Sequence, residues 1–198
     1  VLAVLITWGL NTWGNIMNPE NEEAPIVVEL YAQQFAWTAR YSGGDNELGY
    51  SNVNLIEGAN ALGVDIADPN AGDDFLAKEI HLPVGKPVLF KFRSQDVIHS
   101  AYMPHFRAQM NCVPGMITEF SFTPTITTDE MRMNSDVVDK VNRINKIRYE
   151  NSKILTANGE EALEPYQFDY LLLCAKICGA YHYNMQMKIV VESEKDYE

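Results

Sequence analysis

Short stretches that alternate apolar and polar residues recur along the chain from residue 26 onward. A period of two places alternate side chains on opposite faces and predicts β-strands. The predicted strands are 26–31, 33–41, 87–93, 117–122, 166–173 and 187–192. Many short strands separated by Pro and Gly turns predict an all-β antiparallel sandwich.

Three stretches depart from this period. The first ten residues are apolar, but a helix that spans a bilayer needs roughly 20 such residues. This stretch is therefore interpreted either as a helix whose beginning is missing or as a buried helix of the soluble domain. Residues 43–75, rich in Gly, Asn and Asp, predict a long surface excursion. Residues 136–148 have apolar positions at helical spacing and predict an amphipathic helix capped by Ser135 or Asp136.

Charge narrows the range of partners. The formal net charge of −12 over 198 residues argues against nucleic acid, whose phosphates would repel the chain. The negative charge is compatible with a basic protein partner attracted by electrostatic steering, although a requirement for solubility would explain the same net charge. The sequence holds three cysteines, and Cys112 is interpreted as a small buried core residue.

One twelve-residue stretch, 174–185, concentrates residues that bind soft metals. It contains Cys174, Cys178, His182 and Met185 between two predicted strands. Thiolate, thioether and imidazole ligands favour copper over magnesium, calcium or manganese. A disulfide, two buried small hydrophobes or half of a zinc site would also explain the cysteines, although methionine is a poor zinc ligand.

A second stretch, 96–100, follows the strand at 87–93 and carries His99. A strand end can fix an imidazole against a loop from a distant part of the chain. A lone histidine is more often structural than a ligand. The interpretation of His99 as a ligand therefore depends on the cysteine loop.

Together these stretches resemble subunit II of haem–copper cytochrome c oxidase. The matching residues are the Leu-Pro-Val-Gly-Lys-Pro run at 82–87, Asp-Val-Ile-His-Ser at 96–100, Val-Pro-Gly at 113–115 and the C-x3-C-x3-H-x2-M loop. The resemblance covers residues from about 25 to the C-terminus, apart from an insertion at 125–165. It implies a cupredoxin-like Greek-key β-sandwich or barrel at 26–198, a linker at 18–25 and the C-terminal end of a transmembrane helix at 1–17.

The resemblance also implies a binuclear copper centre, CuA. The implied ligands are the side chains of His99, Cys174, Cys178, His182 and Met185 and the backbone carbonyl of Lys176. The chain would accept electrons from a c-type cytochrome, free or part of a larger complex, and pass them to haem in subunit I. Oxygen reduction and proton pumping would occur in that partner, so no catalytic residue is expected in this chain. The expected location is a bacterial inner membrane, or an equivalent respiratory membrane, with the soluble domain on the periplasmic side.

Two departures from the family pattern affect this interpretation. The family's electron-accepting tryptophan is replaced by Phe35, which leaves Phe35 and Trp37 as candidates for electron uptake. The family's acidic side chain that helps hold magnesium at the subunit I interface is replaced by Lys176. Because lysine cannot ligate magnesium, we expect that site to be lost, remodelled or occupied by the ammonium group.

Other functions share parts of the pattern. A quinol oxidase subunit II has the fold without the copper ligands, and nitrous oxide reductase needs a propeller domain for which the chain has no room. A thioredoxin-like copper chaperone has its cysteines before its histidine, whereas His99 comes first here. The alternative function is therefore a copper-binding electron-transfer or copper-delivery module outside an oxidase, or a copper-free interaction module.

Overall fold

Two five-stranded sheets pack their apolar side chains against each other in the computed structural model, which describes residues 1–17 and 25–197. The strands are β1 Ile26–Gln33, β2 Ala36–Tyr41, β3 Phe75–Ala77, β4 Ile80–Pro83, β5 Val88–Ser94, β6 His99–Met103, β7 Ala108–Cys112, β8 Thr118–Phe122, β9 Tyr170–Cys174 and β10 Gln186–Glu192. The helices are α1 Leu2–Met17, α2 Thr128–Met133, α3 Ser135–Ala157 and α4 Glu194–Tyr197.

The strand order is β3-β2-β1-β5-β8 in one sheet and β4-β10-β9-β6-β7 in the other. Pairs β1–β5 and β4–β10 are parallel, and the other ladders are antiparallel. Four neighbouring pairs, β1–β5, β5–β8, β4–β10 and β6–β9, thus join distant parts of the chain, as in a Greek-key sandwich. The predicted all-β, cupredoxin-like fold is confirmed, with two parallel pairs that the alternation pattern did not reveal.

Strict alternation of burial explains why these segments form a sandwich. Along β5, Val88, Phe90 and Phe92 are buried while the residues between them are partly exposed. Along β10, Ile189 and Val191 point inward in the same way. Each sheet therefore presents one apolar face to the core, which is the arrangement that a period of two produces.

Around the candidate copper ligands, the structure differs from two predictions made from the sequence. The continuous strand expected over 33–41 is instead the second half of a hairpin, because the chain turns at Gln34 and Phe35 before β2 begins. His99 is the first residue of β6 and does not belong to the end of the preceding strand, since β5 stops at Ser94. Both changes bring these residues to one end of the sandwich.

The insertion contains more helix than its pattern predicted. The helix expected over 136–148 runs over Ser135–Ala157, and its cap is Asn134, whose side-chain oxygen accepts a hydrogen bond from the Asp136 amide. Neither Ser135 nor Asp136 caps it, so that part of the prediction is wrong. The predicted strand over 166–173 starts only at Tyr170, because the Asn145 side chain on α3 binds both backbone groups of Tyr166.

The insertion meets the sandwich far from the candidate ligand loop. The Val191 amide donates to the buried Thr128 hydroxyl, and the Tyr170 hydroxyl donates to the Ile126 carbonyl. Tyr170 and Cys174 are the two ends of β9, and four residues of strand span about 13 Å. These contacts of the insertion therefore lie at the end of β9 opposite the cysteine loop.

The excursion at 43–75 is anchored to the outer face of the first sheet by buried charges. Arg40 forms ion pairs with Glu29 and Asp74, and Arg93 pairs with Glu29 at 3.0 Å. Other acids of this segment cap its turns: Asp73 accepts from the Gly44 amide and Asp68 from the Tyr50 amide. Its carboxylates are thus largely engaged within the fold rather than gathered into a solvated face.

At the N-terminus, α1 is helical and most of its side chains are exposed. Among the described residues, no helix has the length and apolar content that crossing a membrane requires. The assignment of residues 1–17 to the end of a transmembrane helix stays a prediction. The predicted linker at 18–25 lies outside the described residues except for Pro25.

Candidate metal centre

The cysteine loop is a tight connection between β9 and β10. Cys174 ends β9, a 3-10 helix spans His182–Asn184, and Gln186 begins β10. The loop closes on itself because the Cys174 amide donates to the Met185 carbonyl at 3.1 Å. It is also tied to β6, since the Ala175 amide donates to the carbonyl of Ser100 at 2.9 Å. The sequence-predicted position between two strands is confirmed.

All six predicted ligand groups converge at this loop. The Cys174 and Cys178 sulfurs lie 3.9 Å apart, and both thiols are free. Nδ1 of His99 is 3.8 Å from Cys174 Sγ, and Nδ1 of His182 is 3.6 Å from Cys178 Sγ. The Met185 sulfur lies 3.9 Å from Cys178 Sγ, and the Lys176 carbonyl accepts a hydrogen bond from Cys174 at 3.2 Å.

The arrangement places two sulfurs at the centre and one imidazole on each side. The donor atoms of His99, Cys174 and Cys178 lie within 4.8 Å of one another, which is close enough for a shared metal ion. The donor set of thiols, imidazoles and one thioether is soft and fits copper. A sulfur separation of 3.9 Å is far beyond the roughly 2.05 Å of a disulfide bond, so the loop is not cross-linked in this state.

Asp96 orients the imidazole of His99. Its Oδ1 lies 2.9 Å from His99 Nε2, while its other oxygen accepts from the Gln34 amide at 2.7 Å. Partial burial opposes ionisation of Asp96, but the hydrogen bonds from His99, Gln34 and Val97 outweigh it and hold the pKa of this carboxyl below its usual value. An ionised carboxylate only accepts, so Nε2 carries the proton and the Nδ1 lone pair faces Cys174.

The turn between β1 and β2 supports the loop from the opposite sheet. The Gln34 side-chain amide donates to the Cys178 carbonyl, and the Phe35 ring packs against Gly179. A Cβ on Gly179 would approach Phe35 Cζ at 2.7 Å and Gln34 Nε2 at 2.9 Å. With φ at +148°, only glycine fits both the backbone conformation and the space.

Trp37 fixes the far side of the site. It is 6% exposed, and its indole nitrogen donates to the Met185 carbonyl at 3.4 Å. Its ring also lies edge-on to His99, with the ring centroids 6.2 Å apart. The carbonyl of one candidate ligand and the ring of another are thus held by a single buried side chain.

Without a metal, the Cys178 thiol is difficult to ionise. Burial and the neighbouring Cys174 raise the pKa of Cys178 to about 11. A bound cation reverses this balance, because a coordinated thiol is deprotonated and its charge is neutralised by the metal. The chemistry of the donor set therefore fits a metal that prefers thiolate ligands.

Comparisons with known proteins identify relatives of the chain. The chain is 33% identical over 198 residues, 99% of its length, to the alternative cytochrome c oxidase subunit 2 of Bradyrhizobium diazoefficiens. It is 26% identical over 173 residues, 87% of its length, to cytochrome c oxidase subunit 2 of Thermostichus vulcanus. The chain is thus a homologue of cytochrome c oxidase subunit II. It spans 56% and 32% of the lengths of these two relatives.

Among solved structures, the periplasmic domain of subunit II of cytochrome oxidase from Bradyrhizobium japonicum is similar to this subunit II homologue. The TM-score is 0.49 and the identity 18%, over 88% of this chain and 89% of that one. No protein-family model matches the chain.

The remaining histidines and cysteine of this subunit II homologue lie outside the cluster. His81 pairs with Glu192 at 3.0 Å on the surface. His105 packs edge-on against Phe168 and Tyr170, and burial together with Lys140 lowers its pKa. Cys112 is fully buried, and burial raises its pKa to about 12.

Sequence reasoning missed the residues that support the ligands. The Asp-x-x-His spacing of 96–99 could have indicated that Asp96 orients His99, because both residues belong to the motif. Nothing in the sequence linked Gln34 to the Cys178 carbonyl, which is 144 residues away. Such a contact depends on how the two sheets are stacked.

Proposed function

We propose that this chain carries the electron-accepting CuA centre of a haem–copper oxidase. The observation that carries the proposal is the pair of adjacent thiols, Cys174 and Cys178, flanked by one imidazole on each side. A single copper ion in a blue-copper site needs only one thiolate. Two thiolates at this spacing can each bridge two ions, which supports a binuclear centre.

The ligand roles follow from the neighbours of each donor. His99 and His182 would be the terminal ligands, since each contacts a different sulfur. Met185 would be the weak ligand of one ion and the Lys176 carbonyl that of the other. The bound copper pair would supply a one-electron couple in which the charge is shared by two metals, so each bond length changes little on transfer.

The chain's own residues would keep the change in metal–ligand bond lengths small. Asp96 and Trp37 restrain the His99 ring, and Gln34 restrains the Cys178 backbone. Met185 is 2% exposed and His99 is fully buried, so water has little access to this side of the site. A rigid, dry ligand set favours fast electron transfer at a small driving force.

The wider role rests on the family. A subunit II homologue would accept electrons from a c-type cytochrome and deliver them to haem in subunit I, where oxygen is reduced and protons are pumped. In this role the chain would lie at a respiratory membrane, with the sandwich on the periplasmic side and residues 1–17 as the C-terminal end of a transmembrane helix. We also propose that Lys176, which is exposed, replaces the magnesium-binding acid of the family with its ammonium group.

Electron paramagnetic resonance of the copper-loaded protein, with copper counted per chain, tests the proposal. An electron shared equally by two nuclei of spin three-halves gives seven hyperfine lines, whereas one copper gives four. We expect two coppers and seven lines, lost in His182→Asn and retained in His81→Asn, which removes an imidazole outside the cluster. Four lines from one copper would contradict the binuclear centre and favour a copper-delivery or simple electron-transfer module instead.

A further inference from the structure

The two central cysteines are held in place by different means. Cys174 is the last residue of β9, so the sheet fixes its backbone, and its amide donates to the Met185 carbonyl at 3.1 Å. Cys178 belongs to the connection between β9 and β10 and has no strand to hold it. The position of its sulfur therefore depends on contacts that the sheet does not supply.

The hydrogen bonds inside the connection do not supply them either. Three backbone bonds fold its second half into successive turns, with the amides of His182, Asn184 and Met185 as donors, and both partners of each bond lie within residues 179–185. Among the described residues, one hydrogen bond joins residues 176–184 to a residue outside the 174–185 loop. It runs from the Gln34 side-chain amide to the Cys178 carbonyl.

The amide group of Gln34 is turned toward the loop, although part of the residue is exposed. Its nitrogen Nε2 lies so close to Gly179 that a Cβ on this glycine would be 2.9 Å away. A donor at this point fixes the plane of the peptide between Cys178 and Gly179. It thereby fixes the direction in which the Cys178 side chain leaves the backbone.

The main chain of Gln34 is anchored to the other half of the site. Its backbone amide donates to one oxygen of Asp96 at 2.7 Å, and the other oxygen of Asp96 lies 2.9 Å from His99 Nε2. His99 in turn faces the Cys174 sulfur at 3.8 Å. Gln34 thus connects the half of the site that contains His99 and Cys174 with the half that contains Cys178.

We propose that Gln34 is a positioning residue that aligns the Cys178 half of the centre with the His99 half and so keeps the two copper ions equivalent. The proposal rests on the proposed function and names the residue on which the symmetry of the pair depends. Equal sharing of an electron requires the two halves of the ligand set to match. A displaced Cys178 sulfur would make them differ, and the electron would localise on one side.

Gln34→Leu tests the proposal, because it removes the side-chain donor and keeps the backbone amide that binds Asp96. The first readout is hydrogen exchange of the His182, Asn184 and Met185 amides in the copper-free protein. We expect these amides to exchange about two- to tenfold faster, since one net hydrogen bond that holds the loop is lost. The second readout is the electron paramagnetic resonance spectrum with copper counted per chain. We expect seven lines to give way to an unequal pattern or, if one ion is lost, to four lines.

Two further variants separate the hydrogen bond from other effects. Gln33→Leu changes the neighbouring glutamine, whose side chain makes no hydrogen bond with any residue that the structure describes, and it should behave as wild type in both measurements. Gln34→Met removes the same donor with an unbranched side chain of similar length and should reproduce Gln34→Leu. Wild-type behaviour of Gln34→Met would overturn the proposal, because the effect would then come from the shape of leucine.

The two readouts also distinguish this proposal from the function on which it rests. Unchanged loop exchange in both donor-free variants would overturn the positioning role of Gln34, and seven intact lines beside faster exchange would overturn the equivalence claim. If the wild type itself binds one copper, that claim falls with the proposed function. The exchange result needs no metal, so it still decides whether Gln34 holds the loop.

Discussion

At the residue scale, the site depends on a few side chains that hold the ligands without being ligands. Asp96 selects the tautomer of His99, and Gly179 lets the loop approach the β1–β2 turn. The clustering of the candidate ligands was predictable because their types and spacing in the loop form a local pattern. Gln34 was not predictable, since its contact with the loop depends on packing between sheets.

Asp96→Ala should weaken copper binding. Removing the carboxylate frees His99 Nε2 and the Gln34 amide, so the ring loses its fixed orientation. Loss of such a partner typically lowers metal affinity by about 10–100-fold. Competition with a chelator of known affinity would measure this, with Asp139→Ala on the exposed side of α3 as the control. Equal affinities in the two variants would refute the orienting role.

Gly179→Ala should displace the ligand loop. The new Cβ would lie 2.7 Å from the Phe35 ring at a φ of +148°. We expect a loss of more than about 1 kcal/mol in the free energy of unfolding, together with an altered copper spectrum. Gly58→Ala is the matched control, because its φ is also positive and its Cβ would have nothing within 4 Å. Chemical denaturation of both variants separates the steric cost of the new Cβ from the cost of the positive φ. Similar losses of unfolding free energy in the two variants would argue against a clash at Phe35.

At the scale of elements, alternation in the sequence predicted the strands better than the connections between them. The patterns of β5 and β10 are visible because each has one buried face. The length of α3 was underestimated because its second half is stabilised by the returning chain, where Arg148 donates to the Glu164 carbonyl. The hairpin at Gln34 was missed because the residues on both sides have strand character.

Thr128→Val should loosen the joint between the insertion and β10. Thr128 is 2% exposed, and its hydroxyl accepts the Val191 amide at 2.8 Å. The substitution leaves a buried backbone donor without its partner, which costs about 1–3 kcal/mol. Urea denaturation would show the loss, and the exposed Thr125→Val should be nearly neutral. The copper spectrum should be unchanged, because the joint lies at the other end of β9; a changed spectrum would contradict this separation.

At the scale of the whole molecule, the candidate metal centre joins distant parts of the chain. His99 lies at the start of β6, while the other candidate ligands belong to the connection between β9 and β10. An unfolded chain does not hold these groups together, so copper should bind the folded form preferentially.

Copper loading should therefore raise the thermal midpoint. Free copper at about 100 times its Kd adds about 2.7 kcal/mol to the free energy of unfolding. For a chain of this size, this corresponds to a rise of roughly 5–10 °C in the midpoint temperature of unfolding. Calorimetry with and without a chelator measures the shift. A variant that combines Cys174→Ser and Cys178→Ser should show no copper-dependent shift. An equal shift in this variant would mean that the metal stabilises the chain through other groups.

The position of β10 has a consequence for biosynthesis. This strand is the last of the ten, yet it lies between β4 and β9 inside its sheet. During translation, both neighbours keep open hydrogen-bonding edges until residues 186–192 leave the ribosome. Met185, the last of the candidate ligands, is translated just before β10. The set of candidate ligands and this sheet are therefore completed within the same few residues. If the loop binds copper, the metal can therefore be held only after the last of these ten strands has begun to be synthesised.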